Sequence, residues 1–423
     1  GPDDMKRYHD NIAVDQDKPD DWGHVFGAGK GIMPEGAYDY VNGVTKRMVS
    51  VKDAQGNIIG SDWEYFADEA TYITFIQTLA LASKTDVTIG DHAFVKGSVY
   101  GGSENGLVQF DTDVKIQDEC QIGNGDGVNR RYTTDEWAYD GSTVARSLKE
   151  CAHWDYGREE GTGENKKTIY APYDPNANAT GNLDKYSNGK STEGGRRIAT
   201  DGHTYYGNVF GGGSGSVPYF DAEEGISKYL NSAGTVKGNT KVTISGGHIL
   251  TNVYGGCEAT NVLGKATVKM TNGTIGVPRT AQQIKDHPVT CYLFGAGKGD
   301  QRIYFNKETN VNDAIVNVEG GRIYGSVFGG GEDGHVLRNT TVTIGKTDGT
   351  GPKIGTVGST YVDGNVFGGG RGFGGEALTA GNVGGSVDLI INGGTMLGSV
   401  YGGGRLASVG YGLYLVNEEV DGD

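Results

Sequence analysis

Pairs of apolar residues separated by one position recur along the chain at Val87/Ile89, Val114/Ile116, Val242/Ile244, Val268/Met270, Val316/Val318, Val342/Ile344 and Leu389/Ile391. Period-two alternation rich in β-branched residues predicts short β-strands. A second signature lies between these pairs: an aromatic residue preceded by Val, or once by Leu293, and followed by Gly. It places Phe26, Tyr100, Phe210, Tyr254, Phe294, Phe328, Phe367 and Tyr401 as anchors. Two positions before the anchor stand Ser98, Asn208, Asn252, Ser326, Asn365 and Ser399, with His24 and Tyr292 as exceptions.

The spacing turns these signatures into a repeat. In the tightest copies the alternating pair begins 12 residues before an anchor (242 to 254, 316 to 328, 389 to 401), and the next pair begins 14 residues after one (254 to 268, 328 to 342). The resulting unit of 26 residues fits one coil of a β-helix, with about three short strands joined by Gly, Ser or Asn corners. One coil cannot bury its apolar face, whereas coils stacked about 4.8 Å apart pair every strand above and below and build a continuous core. On this reading the recurring GNVFGGG and GSVYGG stretches are corners, and the Asn or Ser positions form a hydrogen-bonded ladder. Parallel crossovers favour the right hand, and no six-residue apolar period supports a left-handed solenoid.

The predicted fold is therefore all-β: a right-handed parallel β-helix of about eight or nine turns, a single domain over 1–423. A first insertion is expected at 27–80, a second, aromatic-rich one at 121–206, and more regular turns over 207–416. A propeller is the competing architecture, because some anchors lie near blade spacing (254 to 294, 328 to 367). The 34-residue spacings (294 to 328, 367 to 401) count against it.

Four residues after the anchors come Lys30, Glu104, Ser214, Glu258, Lys298, Glu332, Arg371 and Arg405. Stacked in order, Glu258, Lys298, Glu332 and Arg371 would make a ladder of alternating sign, expected on the outside of the coil, where each pair contributes roughly 0.2–1 kcal/mol or less.

Composition narrows the function. Among 423 residues, 75 glycines and 36% apolar residues suit a thin, elongated core. A net charge of -16 repels phosphate backbones, which excludes nucleic acid as a partner class. The most apolar stretch, Tyr72 to Ala82, is shorter than the roughly 20 residues a membrane-spanning helix needs. Cys120, Cys151, Cys257 and Cys291 lack zinc-site spacing; their even number allows two disulfides or four free thiols. The Gly-Pro start fits a removed leader or a protease scar, and the uncapped acidic stretch after Leu415 is expected to continue.

The segments GNVFGGG, GSVFGGGEDG and TDVTIGDHAFVKGSVYGG (85 to 102) resemble the Gly-rich VFGGG repeats of secreted or surface-attached β-helix proteins of Bacteroides-group gut bacteria. That resemblance implies an exported, adhesin-like protein, extracellular or on the bacterial cell surface, and specifies no ligand.

Function on a solenoid concentrates where turns are interrupted. From Phe26 to Val87 there are 61 residues where 14 suffice, and from Ile116 to Phe210 there are 94 where 10 suffice. The longer excursion holds Trp137, Tyr139, Trp154 and Tyr156 beside several arginines; the shorter holds Trp63 and Tyr65 beside acids. Flat aromatic faces with nearby polar donors suit sugar rings, and the same residues could instead form a satellite core under a long loop. The expected partners are a host or dietary glycan or a host surface protein.

Chemical motifs add little. GAGKG (27 to 31, 295 to 299) lacks the glycine spacing of a phosphate loop, and the GGxGxD calcium repeat is approached without its aspartate. No cofactor is expected, calcium being the one metal the acids would suit. Asp126 lies in the oxygen-rich NGDGVN turn, and Asp86 and Asp113 would sit one strand apart on adjacent turns. Two carboxylates that close share a cation or raise one another's pKa. This acid pair keeps a carbohydrate-active enzyme, a polysaccharide lyase or glycoside hydrolase, as the alternative to a binding module.

Overall fold

The computed structural model describes residues 23–31, 38–39, 46–65, 69–95, 97–123, 158–160, 167–169, 207–215, 219–221, 226–228, 232–276, 291–299, 309–358, 363–372 and 380–410. Three long parallel sheets run along the molecule as in a parallel β-helix. The first, here the long sheet, stacks seven strands: Thr85–Ile89, Thr112–Ile116, Thr240–Ile244, Lys265–Met270, Asp313–Val318, Thr340–Ile344 and Val387–Ile391. The short sheet stacks seven two-residue strands from Phe94–Val95 to Thr395–Met396. The aromatic sheet stacks eight, from Val25–Phe26 to Val400–Tyr401.

Register is the one the sequence period dictates. Val87 pairs with Val114, Val114 with Val242, Val242 with Val268, Val268 with Val316, Val316 with Val342 and Val342 with Leu389. Every long strand therefore turns the same face inward. These residues, the isoleucines of the short sheet and the valines of the aromatic sheet share one core.

The aromatic anchors form a column of their own. Ring centroids of successive turns lie 4.5 to 5.1 Å apart, with interplanar angles of at most 14°. A propeller would have spread these rings around a circle. Each stacked pair contributes about 0.5–1.5 kcal/mol beyond area burial. A third, smaller cluster gathers Val108, Val236, Val262, Val311, Val336 and Val383 where each coil returns to the long sheet.

The Val-aromatic pair predicted as part of a corner is in fact a strand, and the bend comes at the glycines after it. The first of these glycines is required by close approach. A Cβ on Gly101 would fall against the carbonyl oxygen of Gly211, and one on Gly255 against that of Gly295, well inside contact distance. The same carbonyls accept hydrogen bonds from the first residue of the long strands. The Thr85 hydroxyl donates to Gly101 O at 2.5 Å, Thr112 to Gly211 O at 2.6 Å, Thr240 to Gly255 O at 2.6 Å and Thr340 to Gly368 O at 2.7 Å. Two sides of these four coils are thus tied across the interior; at the equivalent position the others carry Ala266, Ala314 and Val387.

The Asn/Ser ladder is present as side chain to backbone links between turns. Asn208 N donates to Ser98 Oγ at 3.1 Å, Asn252 N to Asn208 Oδ1 at 2.9 Å, Tyr292 N to Asn252 Oδ1 at 2.8 Å and Ser399 N to Asn365 Oδ1 at 2.8 Å. Cys120, Cys257 and Cys291 are buried. Burial pushes the Cys120 thiol pKa up.

Ahead of the first long strand lie an antiparallel sheet of Tyr38–Asp39, Lys46–Lys52 and Ile58–Tyr65 and the helix Glu69–Thr78. The Asp53 carboxylate closes the turn between the two long arms of that sheet, accepting from Gln55 N at 2.9 Å and Asn57 N at 2.8 Å. The Asn57 side-chain amide, donating to Asp53 Oδ2 at 3.0 Å, and then these backbone amides hold its pKa below the usual aspartate value. No helix among the described residues is long and apolar enough to cross a membrane.

Candidate functional face

The ladder of charges does not lie on the outside. Glu258, Lys298, Glu332 and Arg371 are all buried, each at most 5% exposed. Backbone bridges link Lys30 to Glu104, Glu104 to Ser214, Ser214 to Glu258, Glu258 to Lys298, Glu332 to Arg371 and Arg371 to Arg405. The residues point toward the aromatic column, because the glycine bend after each anchor turns the chain back over the rings. Alternation of sign makes this burial tolerable, since a buried charge requires a partner and hydrogen bonds.

Two tyrosines provide those bonds across an intervening turn. The Tyr100 hydroxyl, in the second turn, donates to Glu258 Oε2 in the fourth at 2.6 Å. The Tyr254 hydroxyl, in the fourth, donates to Glu332 Oε2 in the sixth. In the turn between the first pair, Ser214 leaves space for this reach and donates its own hydroxyl to Glu258 at 3.5 Å. Lys298 Nζ stands 3.8 Å from Glu258 Oε1, and the Arg371 guanidinium lies 5.2 Å from the centre of the Tyr292 ring. The rungs at the two ends are less covered: Lys30, half exposed, pairs with Glu104 at 2.9 Å, and Arg405 is partly buried. The choice of Tyr over Phe at an anchor is the signal for these links.

On the outer face of the long sheet, Asp86 and Asp113 are register neighbours, as the spacing predicted. Lys115 joins them, with Nζ 3.5 Å from Asp86 Oδ1 and 3.4 Å from Asp113 Oδ2. Lys241 Nζ is a further 4.0 Å from Asp113 Oδ2. The two aspartates, Asp113 foremost, raise the Lys115 pKa and keep it cationic. Among the described residues no cluster of three His, Cys, Asp or Glu side chains has the geometry to hold a metal ion.

Departures from the coil share a location. Counted against the compact turns, extra sequence lies between Gly123 and Gly207, Gly276 and Cys291, and Gly358 and Asp363, whose flanks belong to the short and aromatic sheets, and after Gly31, Gly215, Gly299 and Gly372, just past the ladder. Both corners border the aromatic sheet and its ladder. The corners on either side of the long strands are tight by comparison, lengthened once at 345–352, where Asp348 Oδ1 accepts from Thr350 N at 2.9 Å. Thr350 also lowers the Asp348 pKa through hydrogen bonds from its hydroxyl and its amide. At the 358 departure, the buried Asp363 carboxylate accepts from Thr356 N, Val357 N and Gly358 N at 2.8, 2.7 and 2.6 Å, pinning the two ends of the loop together.

Of the residues expected at a ligand site, Trp63 and Tyr65 lie on the strand Ile58–Tyr65, opposite Met48 and Lys46. Trp137, Tyr139, Trp154, Tyr156 and Asp126 lie outside the described residues.

The fold defines a parallel β-helix with an internal aromatic column and charge ladder. No family model, curated protein or solved structure matches the chain.

Proposed function

We propose that the protein is an adhesin-like binding module of an extracellular or cell-surface protein, part of a larger exported chain, with a glycan as its ligand class. The observation that carries this reading is the shared location of the departures. A scaffold whose turns are committed to stacking leaves ligand contact to the segments inserted between them. Here those segments leave and rejoin along the two borders of one sheet, so seven separate sequences are anchored beside one another. The residues assigned to the ligand, Trp63, Tyr65, Trp137, Tyr139, Trp154 and Tyr156, all belong to such segments.

The competing reading, an enzyme acting on carbohydrate, draws on the acid pair Asp86 and Asp113 with Lys115 between them. A general base works best with its pKa brought near the operating pH. The lysine is displaced the other way, which favours a structural ion pair.

One set of assays separates the readings. The full chain on an array of mucin and uronate-containing glycans should bind, and Trp137→Ala/Trp154→Ala should lower the signal at least about tenfold, the loss expected from removing two stacking aromatics. Unchanged binding by that variant would move the site elsewhere, and absence of binding to every glycan would leave a host surface protein as the ligand. New unsaturated or reducing ends above a no-protein control would replace the binding reading with the enzymatic one.

A further inference from the structure

The outer face of the short sheet carries one polar side chain per turn from the fourth turn to the eighth. These are His248, Thr274, Arg322, Lys353 and Thr395, register neighbours on successive strands about 4.8 Å apart. His248 and Thr274 are joined through Nδ1 and Oγ1 at 2.8 Å. Arg322 and Lys353 differ: among the described residues no ion pair reaches either, and Arg322 Nη1 is buried without a hydrogen-bond partner. The acids nearest along the chain in these two turns are already committed. Glu319 meets Lys269 at 2.8 Å, Asp348 accepts from Thr350 N, and Asp363 accepts from three backbone amides. Two adjacent cations are thus left uncompensated on a chain of net charge -16.

Arg322 is also held in place. Its guanidinium carbon lies 4.6 Å from the centre of the Tyr324 ring, two residues further along the strand. The positions beside Tyr324 in the neighbouring turns follow Ile275 and Ile354 and are Gly276 and Gly355, so no side chain from them flanks the ring. Extra sequence leaves the coil at this corner in both neighbouring turns, between Gly276 and Cys291 and between Gly358 and Asp363, whereas Tyr324 runs on directly to Ser326. The row of side chains therefore has a slot one turn wide at Tyr324, with Lys353 on one side of Arg322 and Thr274 on the other.

A guanidinium fork fixed by stacking meets a carboxylate or sulfate with two parallel hydrogen bonds, and a lysine beside it adds a point charge. The hydroxyl and imidazole one and two turns away suit the hydroxyls of a sugar ring. We propose that Arg322, Lys353 and Tyr324 form a subsite for the acidic group of an anionic glycan. This inference rests on the glycan-binding reading above and adds the chemical class of the sugar.

The test measures binding of the full chain to polygalacturonate, which carries carboxylates, to dextran sulfate, to uncharged dextran and to polyglutamate, a polyanion without sugar rings. At least one of the two acidic polysaccharides should bind about tenfold or more tightly than dextran and polyglutamate, and the one that does identifies the acidic group. Arg322→Ala and Lys353→Ala should each weaken that binding at least about tenfold, as loss of a charge-assisted hydrogen bond does. Lys237→Ala makes the same change of net charge at an exposed lysine ahead of the strand Thr240–Ile244 and should leave binding unchanged. Arg322→Lys, which keeps the charge and loses the fork, should fall between the parent and Arg322→Ala. Thermal midpoints check folding, and the exposed Lys353 carries the test where Arg322→Ala destabilises the coil. Equal binding of dextran or polyglutamate, an equal loss in Lys237→Ala, or parent-like binding by both alanine variants would overturn the subsite. A parent chain that binds neutral glycans and neither acidic polymer would overturn the subsite alone; one that binds no glycan would overturn the glycan reading with it.

Discussion

The molecule carries two columns of opposite charges, one on each side of its wall. On the outer face of the long sheet, Lys115 sits between Asp86 and Asp113, and Lys269 meets Glu319 at 2.8 Å. On the inner side, Glu258, Lys298, Glu332 and Arg371 are buried against the ring column. Both columns arise from the same device, one polar position per turn held in register by the strands. What separates them is solvent. Outside, water screens each pair and the contribution is small. Inside, each charge depends on a few fixed partners, so the hydroxyls of Tyr100 and Tyr254 become structural necessities.

This contrast can be broken by substitution, beginning with the interior. Glu258→Ala removes the acceptor of Tyr100 and Ser214 and the counter-charge of Lys298, and is expected to cost about 3–5 kcal/mol, the range for one partner of a buried pair. Urea denaturation should show the loss; a cost below that of an outer pair would mean that water reaches the ladder. Next in size is Tyr100→Phe, which keeps the ring stack and deletes one hydroxyl. It should cost about 1–3 kcal/mol in the same urea denaturation by leaving a buried carboxylate short of a donor.

On the outer face, Lys115→Met should lower stability only slightly, and the loss should shrink in 1 M salt. A salt-independent loss would show that the acid pair is more confined than its exposure indicates. The smallest effect belongs to Glu319→Gln. Lys269, above all through its hydrogen bond, holds the Glu319 pKa below the usual glutamate value. A depressed carboxylate contributes stability that is complete above its unfolded pKa and is lost as pH falls through the lower folded value. The variant should therefore be slightly less stable than the parent at pH 7, by roughly 0.2–1 kcal/mol. The two should converge as the pH falls through that lowered folded value, as comparison of their thermal midpoints across pH will show.

Much of the scaffold was legible before any coordinates. Alternation at Val242/Ile244 and its equivalents gave the strands, and the 26-residue spacing gave the register, because a stacked coil must return to the same point of its section at each turn. The acid pair Asp86 and Asp113 followed from the same count. The location of the ladder did not. Glu258 and Lys298 in a glycine-rich stretch have the composition of a solvated corner, and their burial depends on how sharply the chain folds back after the anchor. The tie of Tyr100 to Glu258 crosses 158 positions of sequence and was hidden in the substitution of Tyr for Phe. The ligand-site aromatics were chosen by residue type within excursions that follow no repeat, so periodicity places none of them.

By itself the sequence determined the period, the long strands and the facing of their alternating apolar residues, since these depend on local alternation and on one distance repeated along the chain. Only the tertiary structure decided which side of the wall each charge occupies and where the interruptions converge. Those properties depend on the direction of the bend at each corner and on contacts between turns far apart in sequence, and no local pattern encodes either.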